Sequence, residues 1–395
     1  MEVRIEALHG GTGCRTGPGG RLSRPFFINM EIRMKKSLLA LAVLGAFAGA
    51  ASAQSAVTLY GRVDAGFARI DPSAGTVTNQ PARTGLDSGH LGGSRWGLRG
   101  SEDLGGGLKG VFVLESGFGI DDGMSGQGGR LFGRQAYLGV TGGFGSFVMG
   151  RLATFSSGTG DFDRIGTLDP FRTGYPGLGM QATFASMNAL RLDNAIAYVT
   201  PDMGGFSAGL GHTFRAGGQE LAGGSGANNA GIISYVNFRS GPFYGVITYD
   251  RFKLGELPGD PTQNHLQAGV AWDFKVARVS FAFSQESDQF ALLPANFGGA
   301  AAFQAAGTDA SAWMIGAVIP RGAHRFAISY QDRTADAIGL TPEGERTVWT
   351  VGYEYAFSRR TTAYIVYGDV SDKGSYKTAG WGGTTNTFIG LSHGF

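Results

Sequence analysis

Two short motifs in the chain invite a catalytic reading, and the context of each argues against it. Gly105-Gly106-Gly107-Leu108-Lys109-Gly110 fits the G-x-G-x-x-G pattern of a phosphate-cradling turn. No helical pattern or βαβ unit follows it, so it reads as a hairpin turn. Gly390-Leu391-Ser392-His393-Gly394 fits G-x-S-x-G, whose serine needs a sharp strand-to-helix elbow; here the motif sits inside an alternating apolar–polar run. A barrel lipase would need a Ser/His dyad with an orienting polar partner, and none is visible. The six histidines include no H-E-x-x-H pair, and no cluster has metal-ligand spacing. No catalytic residue, metal or cofactor is expected, and the chain reads as a non-enzyme. The chemistry that remains belongs to guanidinium and carboxylate groups, which at fixed positions make an electric field rather than bonds.

What must position those charges is a set of strands. In Leu266–Phe274, one face carries Leu266, Ala268, Val270, Trp272 and Phe274, and the other Gln267, Gly269, Ala271 and Asp273. Ala277, Val279, Phe281 and Phe283 oppose Arg278, Ser280, Ala282 and Ser284 in the same way, and Trp349, Val351, Tyr353, Tyr355 and Phe357 oppose Thr350, Gly352, Glu354 and Ala356. A period of two means strands with one apolar and one polar or small face. Such segments fall near 57–68, 92–101, 107–118, 131–142, 145–151, 191–199, 204–214, 230–238, 242–252, 264–274, 276–286, 310–318, 323–332, 346–357, 360–369 and 384–395. Tight turns at Asp103–Gly106, Gly142–Gly143, Pro201–Asp202, Ser240–Gly241 and Ile319–Gly322 alternate with long links such as 69–91, 152–190 and 287–309. A soluble sandwich has no reason to keep that schedule. An outer-membrane barrel does, with short periplasmic turns, long outer loops and even closure. The reading is therefore all-β: a 16-stranded antiparallel transmembrane β-barrel, wide enough for an aqueous channel.

Strand phase assigns charges to the lumen. Val57, Leu59, Val63 and Phe67 face lipid, so Arg62 faces inward; Trp96 and Leu98 face out, so Arg95 and Arg99 face in; Phe112, Leu114 and Phe118 face out, which puts Glu115 inside. An unpaired Arg on the lipid face at mid-depth would cost about 2–4 kcal/mol. Phase is ambiguous for Arg134 and Arg151, where small residues and aromatics occur on both faces. Tyr60, Trp96, Trp272, Tyr353 and Tyr367, near strand ends, suit interfacial aromatic girdles.

The N-terminus carries a different pattern. From Met34 the sequence reads MKKSLLALAVLGAFAGAASAQ: a basic start at Lys35 and Lys36, an apolar run of 14 residues from Leu38 to Ala51, and a small-x-small site at Ala51–Ala53. That run is short of the roughly 20 residues a spanning helix needs, so 34–53 reads as a signal peptide with Gln54 as the mature terminus. Residues 1–33 then read as an over-extended start, and 54–395 as the barrel. Removing 1–53 takes away the only cysteine, together with seven Lys/Arg and three Asp/Glu, and leaves 26 basic against 28 acidic residues. Near-balance gives no argument for nucleic acid. Glycine, at 69 residues of 395, is more than double its usual share of about 7%, which suits a barrel as well as a secreted sandwich or solenoid; alternation and link rhythm decide between them.

TLYGRVDAG (58–66), SRWGLRGSEDLGGGLKG (94–110), GRQAYLGV (133–140), GFGSFVMGR (143–151) and NAIAYVTPDMGGFSAG (194–209) resemble, in chain order, motifs of Gram-negative general porins. EYAFSRRTTAYIVY (354–367) and the ending IGLSHGF (389–395) resemble the β-proteobacterial branch. The resemblance covers essentially all of 54–395. It implies a homotrimer in outer-membrane lipid and lipopolysaccharide, assembled by the barrel-assembly machinery, with Phe395 resembling its terminal aromatic signal. It also implies a third long loop folded inward to constrict a channel for ions and small hydrophilic solutes. By motif position Arg62, Arg95 and Arg134 match the basic constriction wall, with Arg99, Glu115 and Arg151 beside them. The third long link, 152–190, carries Phe155, Phe162, Leu168, Phe171, Leu178 and Met180, anchors that a segment packed on the inner wall would need. Asp161, Asp163 and Asp169 are the candidates for its acidic side; the Pro-Glu-Phe-Gly-Gly segment of enterobacterial relatives is absent, so the three stay open, and Arg164 and Arg172 offset their charge. The competing functions are a sugar- or phosphate-specific channel, which would want an aromatic ladder or a dense lysine array, and an adhesion or immune-facing barrel. Neither lumen signature stands out, and the wall arginines predict mild anion preference.

Overall fold

The computed structural model describes residues 56–72, 82–172, 177–184, 191–221, 228–289, 308–337, 340–378 and 383–395. The expected leader, the start extension and the cleavage site lie outside the described residues. Seventeen strand segments follow in order: β1 Ala56–Pro72, β2 Arg83–Ser88, β3 Arg95–Gly105, β4 Leu108–Gly117, β5 Gln135–Gly142, β6 Gly145–Ala153, β7 Arg191–Val199, β8 Phe206–Thr213, β9 Asn229–Ser240, β10 Phe243–Leu254, β11 Thr262–Asp273, β12 Arg278–Gln289, β13 Thr308–Arg321, β14 His324–Ala337, β15 Leu340–Ala356, β16 Thr361–Gly374 and β17 Thr384–Gly394. Neighbours pair antiparallel, and β1 meets β17 from Arg62↔Gly394 to Pro72↔Thr384, closing the sheet. The segments β2 and β3 follow one another along the same edge of β1, so the wall is a closed barrel of 16 staves. Closure matters because lipid offers no partner for an open edge.

The burial pattern is inverted relative to a soluble protein. Val57, Leu59, Phe67, Leu138, Ile247, Trp272, Phe281, Ile328, Trp349 and Phe357 are exposed, while Gln267, Ser280, Ser284, Gln331 and Thr350 are buried. Large apolar side chains all around the outside, with polar ones inside, are what a lipid-facing wall requires. Among the described residues no helix is long and apolar enough to cross a membrane; helical structure is limited to short turns such as Gly126–Gly129 and Ser375–Thr378.

Two departures from the expected strand plan have local causes. Arg83–Ser88 forms β2 inside the link expected at 69–91, pairing with β1 from Ala65↔Ser88 to Ile70↔Arg83. Its six residues show no alternation to betray it, and the stave is broken after it at Gly89, whose φ of +81° suits glycine. Strands β14 and β15 also run beyond their expected ends, to an Ala337↔Leu340 pair, because polar residues can continue a ladder beyond the apolar belt. Elsewhere two loops are tied together: Arg215 donates to both carboxylate oxygens of Glu256 at 2.9 and 3.2 Å, which holds that carboxyl below its usual range.

The segment after β6 lies against the buried face of the sheet. Tyr244 donates to the Arg164 carbonyl at 2.8 Å, Ser280 to that of Leu168 at 2.6 Å, and Gln331 and Thr350 both to that of Leu178 at 3.0 Å. Its apolar side chains meet glycines: Phe155 lies over Gly209, Leu168 over Gly269, Pro170 over Gly316, Phe171 over Gly352 and Leu178 over Gly368, where an added Cβ would overlap each of them. Phe155, Leu168, Phe171, Leu178 and Met180 are almost fully buried as a result.

Candidate functional site

The charged patch is built from the first four staves. Strand alternation puts Tyr60 and Arg62 of β1 on the inner face, and the β1–β3 ladder places Arg62 directly opposite Arg95. Glu115 enters through the Gly97↔Glu115 pair of β3 and β4, and Gln135 and Tyr137 follow on β5. Glu115 is the hub. Arg134 donates from Nε to its Oε1 at 2.7 Å, Tyr60 donates to its Oε2 at 3.0 Å, and the Arg95 Nε lies 3.5 Å from that same oxygen. Arg95 also donates to the Gly93 carbonyl at 3.0 Å, and Arg134 to the Thr159 hydroxyl at 3.3 Å. Arg99 stacks over the Tyr60 ring, with its Cζ 3.9 Å from the centroid. A Cβ at Gly92 would overlap the Arg62 guanidinium, so the break between β2 and β3 makes room for that side chain.

Arg62, Arg95, Arg99 and Glu115 thus come together as their strand phases led us to expect, and Arg134 joins them where its motif position implied. Arg151 does not join them. Its strand neighbour Met149 and its partner Ala136 belong to the outer face, and it binds Asp193 at 2.5 Å and the Gly133 carbonyl at 2.8 Å, with Arg130 on the same carboxylate at 2.8 Å. Arg191 at the start of β7, which is 5% exposed, lies within electrostatic reach of Arg134, Arg151, Glu115 and Arg95. Tyr60 is likewise no girdle residue: it shares the phase of Arg62 and is tied to Glu115. Trp272 and Tyr367 do face outward, 46% and 38% exposed.

The three loop aspartates separate cleanly. Asp161 is exposed, accepts from the Tyr137 hydroxyl at 2.7 Å, and has its own N–H on Gln135 at 3.0 Å, which sets its carboxylate beside the wall. Asp163 accepts from the N–H groups of Gly158 and Gly166 at 2.7 and 3.1 Å, and Asp169 from those of Phe171 and Met180 at 2.8 Å each. Both are turned into their own loop, where buried N–H groups need acceptors. Alternation places a further acid on the polar face without singling it out: Glu354 is shared by Arg325 at 2.5 Å and Arg172 at 3.3 Å. Among the described residues no His/Cys/Asp/Glu group has the arrangement of a metal site.

A model of the Gram-negative porin family matches residues 40–375. The chain is 34% identical over 371 residues to an outer membrane porin protein of Bordetella pertussis, covering 84% of this chain and 93% of that one. It is 33% identical over 339 residues to outer membrane porin protein 32 of Delftia acidovorans, covering 84% and 88%. The solved structure of the anion-selective porin from Comamonas acidovorans aligns with a TM-score of 0.69 at 26% identity, over 87% of this chain and 100% of that one. The closed barrel and these relatives define a passive outer-membrane channel rather than an enzyme. This chain belongs to the Gram-negative porin family.

Proposed function

We propose that the channel prefers anions mildly, that the segment 154–184 is the inward-folded third long loop that narrows it, and that the wall of Arg62, Arg95, Arg99, Arg134 and Arg191 facing Asp161 is its constriction. The observation that carries this is the charge balance around Glu115. Five guanidinium groups share that part of the wall with two buried carboxylates, Glu115 and the Asp64 beside Arg62, and the exposed Asp161. Guanidinium groups stay charged at any working pH, and a narrow lumen focuses their field, so small anions are enriched most at low salt. That the Comamonas relative is described as anion-selective supports the same sign. The reading extends to export through a signal peptide ending at Ala53, assembly as a homotrimer by the barrel-assembly machinery, and a surround of lipid and lipopolysaccharide. Reversal potentials across a planar bilayer in a KCl gradient test the preference: we expect a potential of anion-selective sign that shrinks as salt rises. A cation-selective wild type would overturn the assignment of the wall.

A further inference from the structure

A second group of arginines sits away from Glu115, at the end of the barrel that carries the short turns. Arg239 lies one residue before the end of β9, Tyr244 is the second residue of β10, Ser207 the second of β8, and Arg278 opens β12. In the barrel topology that end is periplasmic. Between these residues and the loop lies a cavity of about 240 Å³, lined by Asp163, Arg164, Thr167, Ser207, Asn237, Arg239 and Tyr244, with Arg278 outside the lining. Arg164 stacks over Tyr235 and Arg239 over Tyr244, their Cζ atoms 4.8 and 4.9 Å from the ring centroids. Arg278 faces Arg239 and donates to the Thr167 carbonyl at 2.6 Å.

One carboxylate, Asp163, lines the cavity and acts on Arg164, but it forms no ion pair with any of the three arginines. Arg95, Arg134, Arg325, Arg333 and Arg346 on the inner wall are each within ion-pair distance of an acid, whereas among the described residues Arg164, Arg239 and Arg278 have none. Asp163 is engaged by Gly158 and Gly166, and Asp273 acts on Arg278 only from beyond ion-pair distance. Ser207 donates to the Asn237 amide oxygen at 2.8 Å, which leaves the amide N–H groups available. Stacking on a tyrosine face holds a guanidinium with its N–H edge outward. Two such edges, from Arg164 and Arg239, with the Asn237 amide N–H groups and the Arg278 charge nearby, match the several oxygens of a polyvalent oxyanion better than the single point charge of chloride.

We propose that this cavity is a binding site for small polyvalent oxyanions, of which inorganic phosphate is the test case, at the periplasmic mouth and separate from the Glu115 wall. The proposal rests on the channel reading, and its test separates the two. Phosphate exchanged for chloride at constant ionic strength should depress the single-channel current of the full chain in a planar bilayer. Arg239→Gln with Arg278→Gln should raise the half-blocking concentration at least about tenfold, the loss of the one charge-assisted contact that Arg239 makes from the lining together with the weaker field of Arg278 outside it. Asn237→Ala, which leaves every arginine in place, should raise it less. Arg95→Ala with Arg134→Ala should move the reversal potential and leave the phosphate block unchanged. An open KCl channel without phosphate block, or a block that persists in the Arg239/Arg278 variant, overturns the site alone. A chain that folds and inserts but conducts no ions overturns the channel reading instead.

Discussion

Arg62 and Arg95 stand directly opposite each other across the β1–β3 ladder, a pairing of like charges that destabilises a sheet. A wall selected for stability alone would avoid it, and a local rule broken on a lumen face points to function. Part of the cost is offset by Glu115, which Arg95 and Arg134 hold between them. Removing both arginines therefore deletes two positive charges and also unmasks a carboxylate. We expect Arg95→Ala with Arg134→Ala to swing the reversal potential toward cations, and Glu115→Gln to move it further toward anions. A double variant with unchanged selectivity would mean that charges at the mouths set the preference. Much of this was readable from residues because Leu59, Val63, Trp96, Leu98, Phe112 and Leu114 fix the phase of their strands. Arg134 precedes β5 and Arg151 lies beside a register shift between Gly150 and Leu152, so alternation carried no information about either. Arg191 was silent because a loop, not an alternating run, leads into it.

At the level of elements, the segment after β6 is held by glycines as much as by hydrogen bonds. Gly269, Gly316, Gly352 and Gly368 on β11, β13, β15 and β16 receive Leu168, Pro170, Phe171 and Leu178, so part of the high glycine content is space reserved on the inner wall for the loop. Gly352→Val would place a branched side chain where the Phe171 ring now lies. Overpacking of this kind costs about 1–3 kcal/mol, and the loop, not the 16-stave wall, is the softer partner. We expect heat-modifiable folding to persist and single-channel conductance to fall as the loop is pushed toward the axis. A conductance equal to that of the wild type would show that Phe171 does not fix the loop. The apolar content of 152–190 announced that this link must pack on something. Which wall positions receive it was not legible, because an inward glycine and an inward alanine look alike in a lumen-facing phase. β2 escaped notice for a related reason, since RTGLDS has neither a long enough run nor a clear apolar face.

The whole molecule depends on one seam and on correct delivery to the membrane. Delivery gives a simple expectation: protein purified from outer membranes should begin at Gln54, free or cyclised, and an intact mass that retains residues 1–33 would overturn the reading of the leader. The seam is where β17 returns to β1. Phe395 extends it by one residue: its N–H donates to the Gly61 carbonyl and its carbonyl accepts from the Gly61 N–H, both at 3.1 Å. The ring lies against Gly61, where any Cβ would overlap it, and remains 44% exposed in line with Ile389 and Leu391. Deleting Phe395 removes two roles at once, the last backbone pair of the closure and the outward aromatic. The backbone pair is costly to lose because an unsatisfied group at a lipid-facing seam finds little water. Phe395→Ala keeps that pair and removes only the ring. If the ring serves recognition by the assembly machinery, the alanine variant should yield fewer heat-modifiable trimers in membranes yet refold in detergent with a near-normal melting temperature, whereas the deletion should lower both. Equal trimer levels in membranes for wild type and deletion would show that neither the closing pair nor the terminal ring limits assembly.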